Sequence, residues 1–566
     1  MTSPVSIHTG ADARKIVIVG GVAGGMSCAA RARRLSEKST IVVFERGPYP
    51  SFANCGLPYH IGGEIADKAK LIVQSAESLR KRLNLDVRIG HEVVAINRAE
   101  KTVTVRNLTS GETFLESYDV LVLSPGAEPL RPPIPGINRP GHFTLRNIPD
   151  MEAILAWLEK TGGKRAVIGG GGYIGLEVAE QLRHRGLEVA IAEMAPQVMV
   201  ALDPEIAAHL HAEIRRNGIE LYLGNGLDHF AEPEEGAHAS TVVLKDGTRL
   251  PADLVILGLG VKPESQLARM AELSVGQRGG ILVDPFMRTS DSSIYAVGDA
   301  VEVWDPSTGD KAQIPLAGPA NRQGRLVADH LFGLPVSPYR GTQGTAALRL
   351  FELTAACTGL NEKTLRLKDI PYEAVHLHPA SHASYYPGAF PLSLKILFNT
   401  ETGVLLGAQA VGKDGAEKRI DVLATAIAAG MTVEQIAQLE LCYAPPLGSA
   451  KDPINLAGMI ASNIRQGLLK QIQWHEVEAA RRETGAVVLD VRDPKECAGG
   501  AIPGSVNIPL DTLRGRISEV PTGVPLIVHC ATGLRSYYAN RILLQNGFSD
   551  VRNLSGSWKT WSTAKS

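Results

Sequence analysis

The sequence predicts an α/β protein of four parts. Two doubly wound domains, each led by a glycine-rich βαβ unit, precede an α+β region and a C-terminal α/β domain. Three observations predict it. A βαβ pattern fills 15–45, a second fills 164–193, and the last stretch, 470–566, has a strand–loop–helix rhythm of its own. A chain of 566 residues has room for about three to five domains at roughly 100–200 residues each.

Composition narrows the class. Hydrophobic residues are 44% and charged residues 21%, values that argue against disorder and fibre. Lys+Arg number 58 and Asp+Glu 59, for a net charge of −1. That balance gives no electrostatic reason to bind nucleic acid or an anionic membrane. No apolar run approaches the ~20 residues of a bilayer span. The opening MTSPVSIHTGADARK lacks the apolar core of a signal peptide, so a cytoplasmic protein is expected. The six cysteines, at 28, 55, 357, 442, 497 and 530, form no CxxC pair, no Cys/His cluster and no dense disulfide pattern, so no metal is expected.

The first unit, KIVIVGGVAGGMSCAARARRLSEKSTIVVFE, runs from an apolar strand through glycines into an Ala-rich helix and a second strand ending at Glu45. Gly20 and Gly25 fit the first and third positions of GxGxxG, and Val22 occupies the second, flanked by Gly21, Ala23 and Gly24. In the second unit Gly170, Gly172 and Gly175 complete the motif. The first glycine makes the turn, the second admits the pyrophosphate, and the third lets helix pack on strand. Glu193 ends the following strand, where a carboxylate accepts bonds from ribose hydroxyls. No Lys or Arg follows in MAPQVMV, which favours NADH over NADPH. Two different nucleotide sites on one chain suggest FAD plus a nicotinamide cofactor. The cofactor-binding set expected on this reading adds Arg46, Asn54, Pro125, Gly126, Tyr173 and Ile174.

Cys55 lies in SFANCGLPY, a Gly/Pro-flanked turn expected to lead into a helix, whose N-terminus stabilises a thiolate. Here the chain resembles the flavin-dependent pyridine nucleotide–disulfide oxidoreductases. Within them it is similar to the coenzyme A-disulfide reductase branch, and to the NADH-dependent persulfide reductases fused to a rhodanese domain. The resemblance rests on GGVAGG at 20–25, SFANCGLPY at 51–59, LSPGAEP at 123–129, GGGYIGLE at 170–177, YAVGDA at 295–300, SYYPGA at 384–389 and YAPPLGSAKDPIN at 443–455. It implies two Rossmann-like domains, with FAD bound by 14–125 and 257–335 and NADH by 126–256. A dimerisation domain follows at 336–466, and a rhodanese domain at 470–566.

The resemblance also implies a homodimer acting on small-molecule sulfur substrates, with coenzyme A as a further ligand. It places the flavin's ribityl–phosphate region at Gly298 and Asp299. It carries coenzyme A contacts to Ser27, Arg31, Arg34, Ser51, Asn54 and Lys451, and sets Tyr385 and Tyr443 beside the reactive sulfur across the dimer. Tyr386 adjoins Tyr385, so the choice between them rests on resemblance. Arg31 and Arg34, three apart on one helix face, suit phosphates. Arg80, Lys81 and Arg82 form a second basic cluster of unassigned role. Position 60 is His60, where relatives with a cysteine pair place the second thiol, so Cys55 exchanges with an outside thiol or forms a sulfenate.

In the last segment, HCATGLRS follows the apolar strand PLIVH. Cys530 to Arg535 reads CxxxxR, a loop whose successive N–H groups cradle an anion, with Arg535 adding charge. The shorter loop fits a persulfide on Cys530 better than a phosphoryl group. VVLDVRDPKE, AIPGSVNIP and NLSGSW complete the resemblance to rhodaneses, with Asp490 and Arg492 as structural support. The expected enzyme reduces persulfides, polysulfides and coenzyme A disulfide with NADH, and Cys530 delivers sulfane sulfur. An NADH oxidase or peroxidase, and a sulfurtransferase with a redox-sensing flavin domain, are the alternatives.

Overall fold

A computed structural model describes residues 13–234 and 236–565. The opening stretch 1–12, which carries most of the leader reading, lies outside the described residues. The chain forms two compact units, residues 13–194 with 225–342, and residues 195–224 with 343–565.

The first unit is built on two parallel sheets. One orders Ile294–Ala296, Val120–Leu123, Lys15–Val19, Thr40–Glu45 and Asp86–Ile89 side by side. Ile16, Val17 and Ile18 are fully buried, as a parallel strand covered on both faces requires. Helix Ala23–Leu35 packs against helix Ala317–Leu331, and a Cβ at Gly324 would lie 2.2 Å from the Gly24 carbonyl oxygen. The second sheet sets Glu188–Glu193, Arg165–Gly169, Leu254–Leu257 and His142–Phe143 in parallel. Between the two sheets the chain crosses twice, and Ala127–Pro129 pairs antiparallel with Val261–Pro263 at the crossing. Helix Ile148–Thr161 begins in a capping box of Asn147 and Asp150, which satisfies two N-terminal amides.

The second unit holds an antiparallel sheet ordered Ala346–Leu350, Leu353–Gly359, Leu405–Gly412, Leu392–Phe398 and Glu373–Leu377. Helices Ala416–Ala428, Val433–Ala437 and Pro453–Arg465 cover it. A parallel sheet of Gln471–Ile472, Val551–Leu554, Leu526–His529, Val487–Asp490 and Val506–Asn507 follows.

Segment 195–224 is read in sequence as part of the nucleotide-binding domain of 126–256, yet its residues cluster with the second unit. Buried charge is one tie within that unit. Lys395 is fully buried, its ammonium 2.7 Å from Asp203 and in contact with Glu205 and Glu362. His376 Nε2 lies 2.8 Å from Glu205. The three carboxylates are close enough to hold a metal, but the lysine ammonium supplies the cation instead. Burial alone would lower the ammonium's affinity for its proton, and the three acids overcome that, pushing Lys395 up.

Candidate active site

The two glycine turns repeat one geometry. Gly20 has φ +99, and a Cβ there would sit 2.0 Å from the Ser124 carbonyl oxygen. Gly170 has φ +104, and its Cβ would meet the Gly258 oxygen at 2.3 Å. Only glycine fits either place. Gly25 and Gly175 lie so near the Gly20 and Gly170 carbonyls that a Cβ would approach to 2.0 and 2.1 Å. Gly21 N–H donates to Glu45 Oε2 at 2.7 Å, and Gly171 N–H donates to Glu193 Oε2 at 2.6 Å. The acids at the two strand ends are thus held against their own turns.

These residues fit dinucleotides. A Cβ at Gly172 would meet nothing within 4 Å, so the second turn opens onto free space where the motif needs it. Neither helix Ala23–Leu35 nor helix Tyr173–His184 has a side-chain cap at its N-terminus, which leaves first-turn amides for an anion. Val22 stands at the N-cap of the first helix and is half-buried. Tyr173 and Ile174 open the second helix, with Ile174 exposed. Gly126 has φ +82, and Arg146 donates to the Pro125 carbonyl at 3.0 Å. Arg46 and Arg146 both bind Glu264. Gly298 N–H donates to Gln323 Oε1 at 2.8 Å, and burial pushes the neighbouring Asp299 carboxyl up against the pull of Arg146.

Cys55 sits in the 3₁₀ turn Asn54–Gly56, directly before helix Leu57–Gly62, and both Asn54 and Cys55 are exposed. Ser51 N–H donates to the Gly21 carbonyl at 2.7 Å, tying this turn to the first glycine loop. Ser51 adopts φ +49 to do so. The surroundings of the Cys55 thiol disfavour its anion. Burial pushes it up, the Glu177 and Asp299 carboxylates add to that, and one backbone hydrogen bond opposes them. All six cysteines are free. His60 turns its Nδ1 to the Ile65 carbonyl at 2.6 Å.

The residues assigned to coenzyme A divide. Ser27 hydrogen-bonds Asn321, and Arg31 forms an ion pair with Asp329 at 2.5 Å. Arg34 is exposed, as are Arg80, Lys81 and Arg82. The pairing of Arg31 and Arg34 expected from their spacing is therefore uneven, because Arg31 is already neutralised by the packed helix.

In the second unit, Tyr385 and Tyr443 meet with phenol oxygens 2.8 Å apart, and both rings are exposed. The contact pushes the Tyr385 phenol up. Tyr386 turns away and packs edge-on against His382, ring centroids 5.8 Å apart. Ala383 N–H donates to the Gly448 carbonyl at 2.9 Å, clasping the two tyrosine segments. Arg419 is 1% exposed, and its guanidinium donates to the Ser381 carbonyl at 2.9 Å and to Asp452 at 3.0 Å. Asp452 also caps helix Pro453–Arg465, and the exposed Lys451 precedes it. Sequence reasoning missed Arg419. Among its charged neighbours Glu417, Lys418 and Asp421 nothing in the sequence singles it out.

Cys530 lies at the end of strand Leu526–His529 and is 1% exposed. Gly533 N–H donates to its sulfur at 3.1 Å. Burial pushes the thiol up, but hydrogen bonds from the Ser536 hydroxyl and from the amides of Ser536, Gly533 and Thr532 bring it below its ordinary value. The cradle read from CxxxxR is present. Arg535, by contrast, forms a two-pronged pair with Glu496, both bonds 2.7 Å. Its charge acts on the sulfur from a distance. Asp490 and Arg492 form a buried pair at 2.6 Å, and the Arg492 guanidinium stacks over Trp558 at 4.8 Å.

Comparison with known proteins points the same way. The pyridine nucleotide-disulphide oxidoreductase family matches residues 14–324, its dimerisation domain matches 345–452, and the rhodanese-like domain matches 473–564. Coenzyme A disulfide reductase of Staphylococcus epidermidis is 37% identical over 446 residues, covering 78% of this chain and 99% of that protein. The crystal structure of reduced Bacillus anthracis CoADR-RHD superposes with a TM-score of 0.95 at 50% identity, covering 98% of each chain. The NAD-dependent persulfide reductase from A. fulgidus gives 0.91 at 37% identity, covering 97% of this chain and 100% of the other.

Proposed function

The chain belongs to the pyridine nucleotide-disulphide oxidoreductase family, and from that premise we propose an NADH-driven, FAD-containing reductase of coenzyme A disulfide, persulfides and polysulfides. It works in the cytoplasm as a homodimer, with a rhodanese domain that delivers sulfane sulfur. The observation that supports this reading is the exposed, free thiol of Cys55 on a turn bonded to the first glycine loop, with no second cysteine in that turn. A disulfide-reducing site with one protein thiol must take its second sulfur from the substrate.

Residues 20–25 with Glu45, Gly298 and Asp299 would hold FAD. Residues 170–175 with Glu193 would hold NADH. FAD, when bound, relays the two electrons of NADH to a disulfide. Cys55 attacks one sulfur of coenzyme A disulfide, the S–S bond breaks, and one coenzyme A thiolate leaves. The other coenzyme A stays joined to Cys55, and reduction of that mixed disulfide frees it. With a persulfide, Cys55 attacks the outer sulfur, the S–S bond breaks and the substrate thiolate leaves; the same two-electron reduction of the persulfide now on Cys55 releases sulfide and restores the thiolate. Tyr385 and Tyr443, acting across the dimer, give the departing thiolate its proton. Exposed Arg34 and Lys451 are free to meet coenzyme A phosphates, whereas Arg31 must first leave Asp329.

The test is NADH consumption with coenzyme A disulfide and with polysulfide, in wild type and in Cys55→Ser at equal flavin content. Cys55→Ser should retain FAD and lose turnover with both acceptors. Near-normal turnover would remove the single-cysteine mechanism. Cys530→Ser should spare coenzyme A disulfide reduction and slow sulfide release from polysulfide. Equal polysulfide rates would leave the rhodanese domain outside the reductive path.

A further inference from the structure

One short segment of the C-terminal domain is gripped from two sides. Ser555 to Thr560 follows strand Val551–Leu554 and opens helix Ser557–Lys565. On one side Trp558 N–H donates to the Cys530 carbonyl and Lys559 N–H to the Ala531 carbonyl, both at 3.0 Å. These bonds fasten the first two carbonyls of the loop whose later amides serve the Cys530 sulfur. On the other side lies strand Glu373–Leu377 of the antiparallel sheet. His376 N–H donates to Ser555 Oγ at 3.1 Å, and His376 Nδ1 lies 3.1 Å from the same oxygen. Two residues on, His378 Nε2 lies 2.7 Å from Thr560 Oγ1. His376, Ser555 and Thr560 are all buried.

The His376 ring joins that segment to the buried charges. Its Nε2 lies 2.8 Å from Glu205 Oε1. A carboxylate only accepts, so Nε2 carries the proton. In the neutral ring Nδ1 is then an acceptor, and the Ser555 hydroxyl donates to it. The same hydroxyl oxygen accepts the His376 amide proton, so one residue grips Ser555 through both its backbone and its ring. Glu205 is fixed in turn by Lys395 and by Trp474 Nε1 at 3.3 Å. The ring cannot rotate without breaking its bond to a buried carboxylate. The segment needs such a grip. Gly556 has φ +65 and Ser557 φ +55, two left-handed residues in succession. A Cβ at Gly556 would lie 2.8 Å from His376 Cβ, so the backbone runs close against the histidine. Strained backbone persists only where its surroundings over-determine it.

We propose that His376 is a positioning residue for sulfur transfer at Cys530, setting through Ser555 the segment that fastens the Cys530 loop. The proposal rests on the reading of Cys530 as a sulfur carrier. With thiosulfate as donor, the Cys530 thiolate attacks the outer sulfur, the S–S bond breaks, and sulfite leaves with the bonding pair. Cyanide then takes the outer sulfur as thiocyanate, and the thiolate returns. His376 keeps the Cys530 and Ala531 carbonyls fastened, so that the amides of Thr532, Gly533 and Ser536 stay turned to the sulfur. The two ends of the ring are separable by substitution. Gln at 376 still donates to Glu205 but offers no acceptor at the Nδ1 position. Asn puts an amide oxygen at that position, within reach of the Ser555 hydroxyl, and gives up Glu205.

The test uses the full-length, FAD-loaded chain with His376→Gln, His376→Asn and Ser555→Ala. Two quantities are measured. One is kcat and KM for thiosulfate-to-cyanide sulfur transfer. The other is the pH at which Cys530 alkylation by iodoacetamide reaches half its plateau rate, read on the Cys530 peptide by mass spectrometry. His376→Gln and Ser555→Ala should lower kcat about tenfold with KM little changed, and raise the alkylation midpoint by about one pH unit. Combining the two should cost little more than Ser555→Ala alone, because both remove one contact. His376→Asn should keep kcat within about threefold of wild type. NADH-linked reduction of coenzyme A disulfide should stay unchanged throughout. Wild-type kcat and midpoint in His376→Gln overturn the proposal, and should that variant fail to fold, the same values in Ser555→Ala do so alone. Equal losses in His376→Gln and His376→Asn, or slower transfer with an unmoved midpoint, make His376 merely structural and overturn it too. If wild type forms no Cys530 persulfide from thiosulfate, while His376→Gln and Ser555→Ala move the midpoint and His376→Asn does not, the carrier reading falls and the positioning role stands.

Discussion

The Tyr385 and Tyr443 phenols share a hydrogen bond of 2.8 Å although 57 residues separate them in sequence (positions 386–442) and both rings face outward. Two exposed phenols held in contact form a proton-sharing pair rather than packing. Replacing either by Phe should lower coenzyme A disulfide turnover about 10²–10⁴-fold if it is the acid. Steady-state rates at saturating NADH check this, and unchanged rates in both single variants and the double variant would exclude the pair. Tyr386→Phe, by contrast, should be near wild type, because Tyr386 packs on His382.

Arg419 holds together the Ser381 carbonyl and Asp452, each in a segment that also carries one of the two tyrosines. Arg419→Met strips a buried carboxylate of its partner, a loss on the order of 3–5 kcal/mol. Turnover should fall with flavin content intact, and the melting temperature should drop. Arg419→Lys should restore only part of both, since a lysine lacks the second prong that Nη1 sends to the Gly415 carbonyl while Nη2 holds Ser381 and Asp452. A wild-type melting temperature in Arg419→Met would refute the role.

Glu193 binds the Gly171 amide and no basic residue follows it through position 200. Glu193→Gln should weaken NADH and narrow the gap to NADPH, as measured by kcat/KM for each. Higher wild-type efficiency with NADPH would show that the strand end has been misread.

Burial lowers the proton affinity of several histidines of the second unit, His209, His211, His378 and His529 among them. Burial pushes His209 and His211 down to about 4, and His378 well below its ordinary value. A histidine with a depressed folded pKa adds stability that is fully present above about 6.5, its unfolded value, and is lost as pH falls toward the folded value. The melting temperature should therefore fall between about pH 6.5 and pH 4. His209 alone accounts for on the order of 3 kcal/mol across that window. His209→Gln should blunt the decline, and an identical pH profile in that variant would contradict it.

Local order explains what could be read in advance. Strand, glycine turn, helix and acid lie within about thirty residues in each βαβ unit, so Glu45 and Glu193 were legible from spacing alone. Cys530 was legible for the same reason, because its cradle is one short loop. The charge environment of Cys55 was not. Glu177 and Asp299 raise its thiol, and both come from distant parts of the chain. Likewise Asp329 neutralises Arg31, and Glu496 engages Arg535. No periodicity encodes those pairings, which depend on which helices and loops meet. Tyr385 was separated from Tyr386 only by the direction in which each ring turns.

The cluster around Lys395 makes the chain hard to dissect. A fragment starting at residue 343 would keep the ammonium and Glu362 but discard Asp203 and Glu205. Two of three counter-charges would vanish from a site with no access to water, a penalty of several kcal/mol. Shuffling the nucleotide-binding half with that of a relative carries the same hazard unless both acids come with it. Recombination between such enzymes should therefore tolerate crossovers after residue 470 more readily than crossovers between residues 205 and 362.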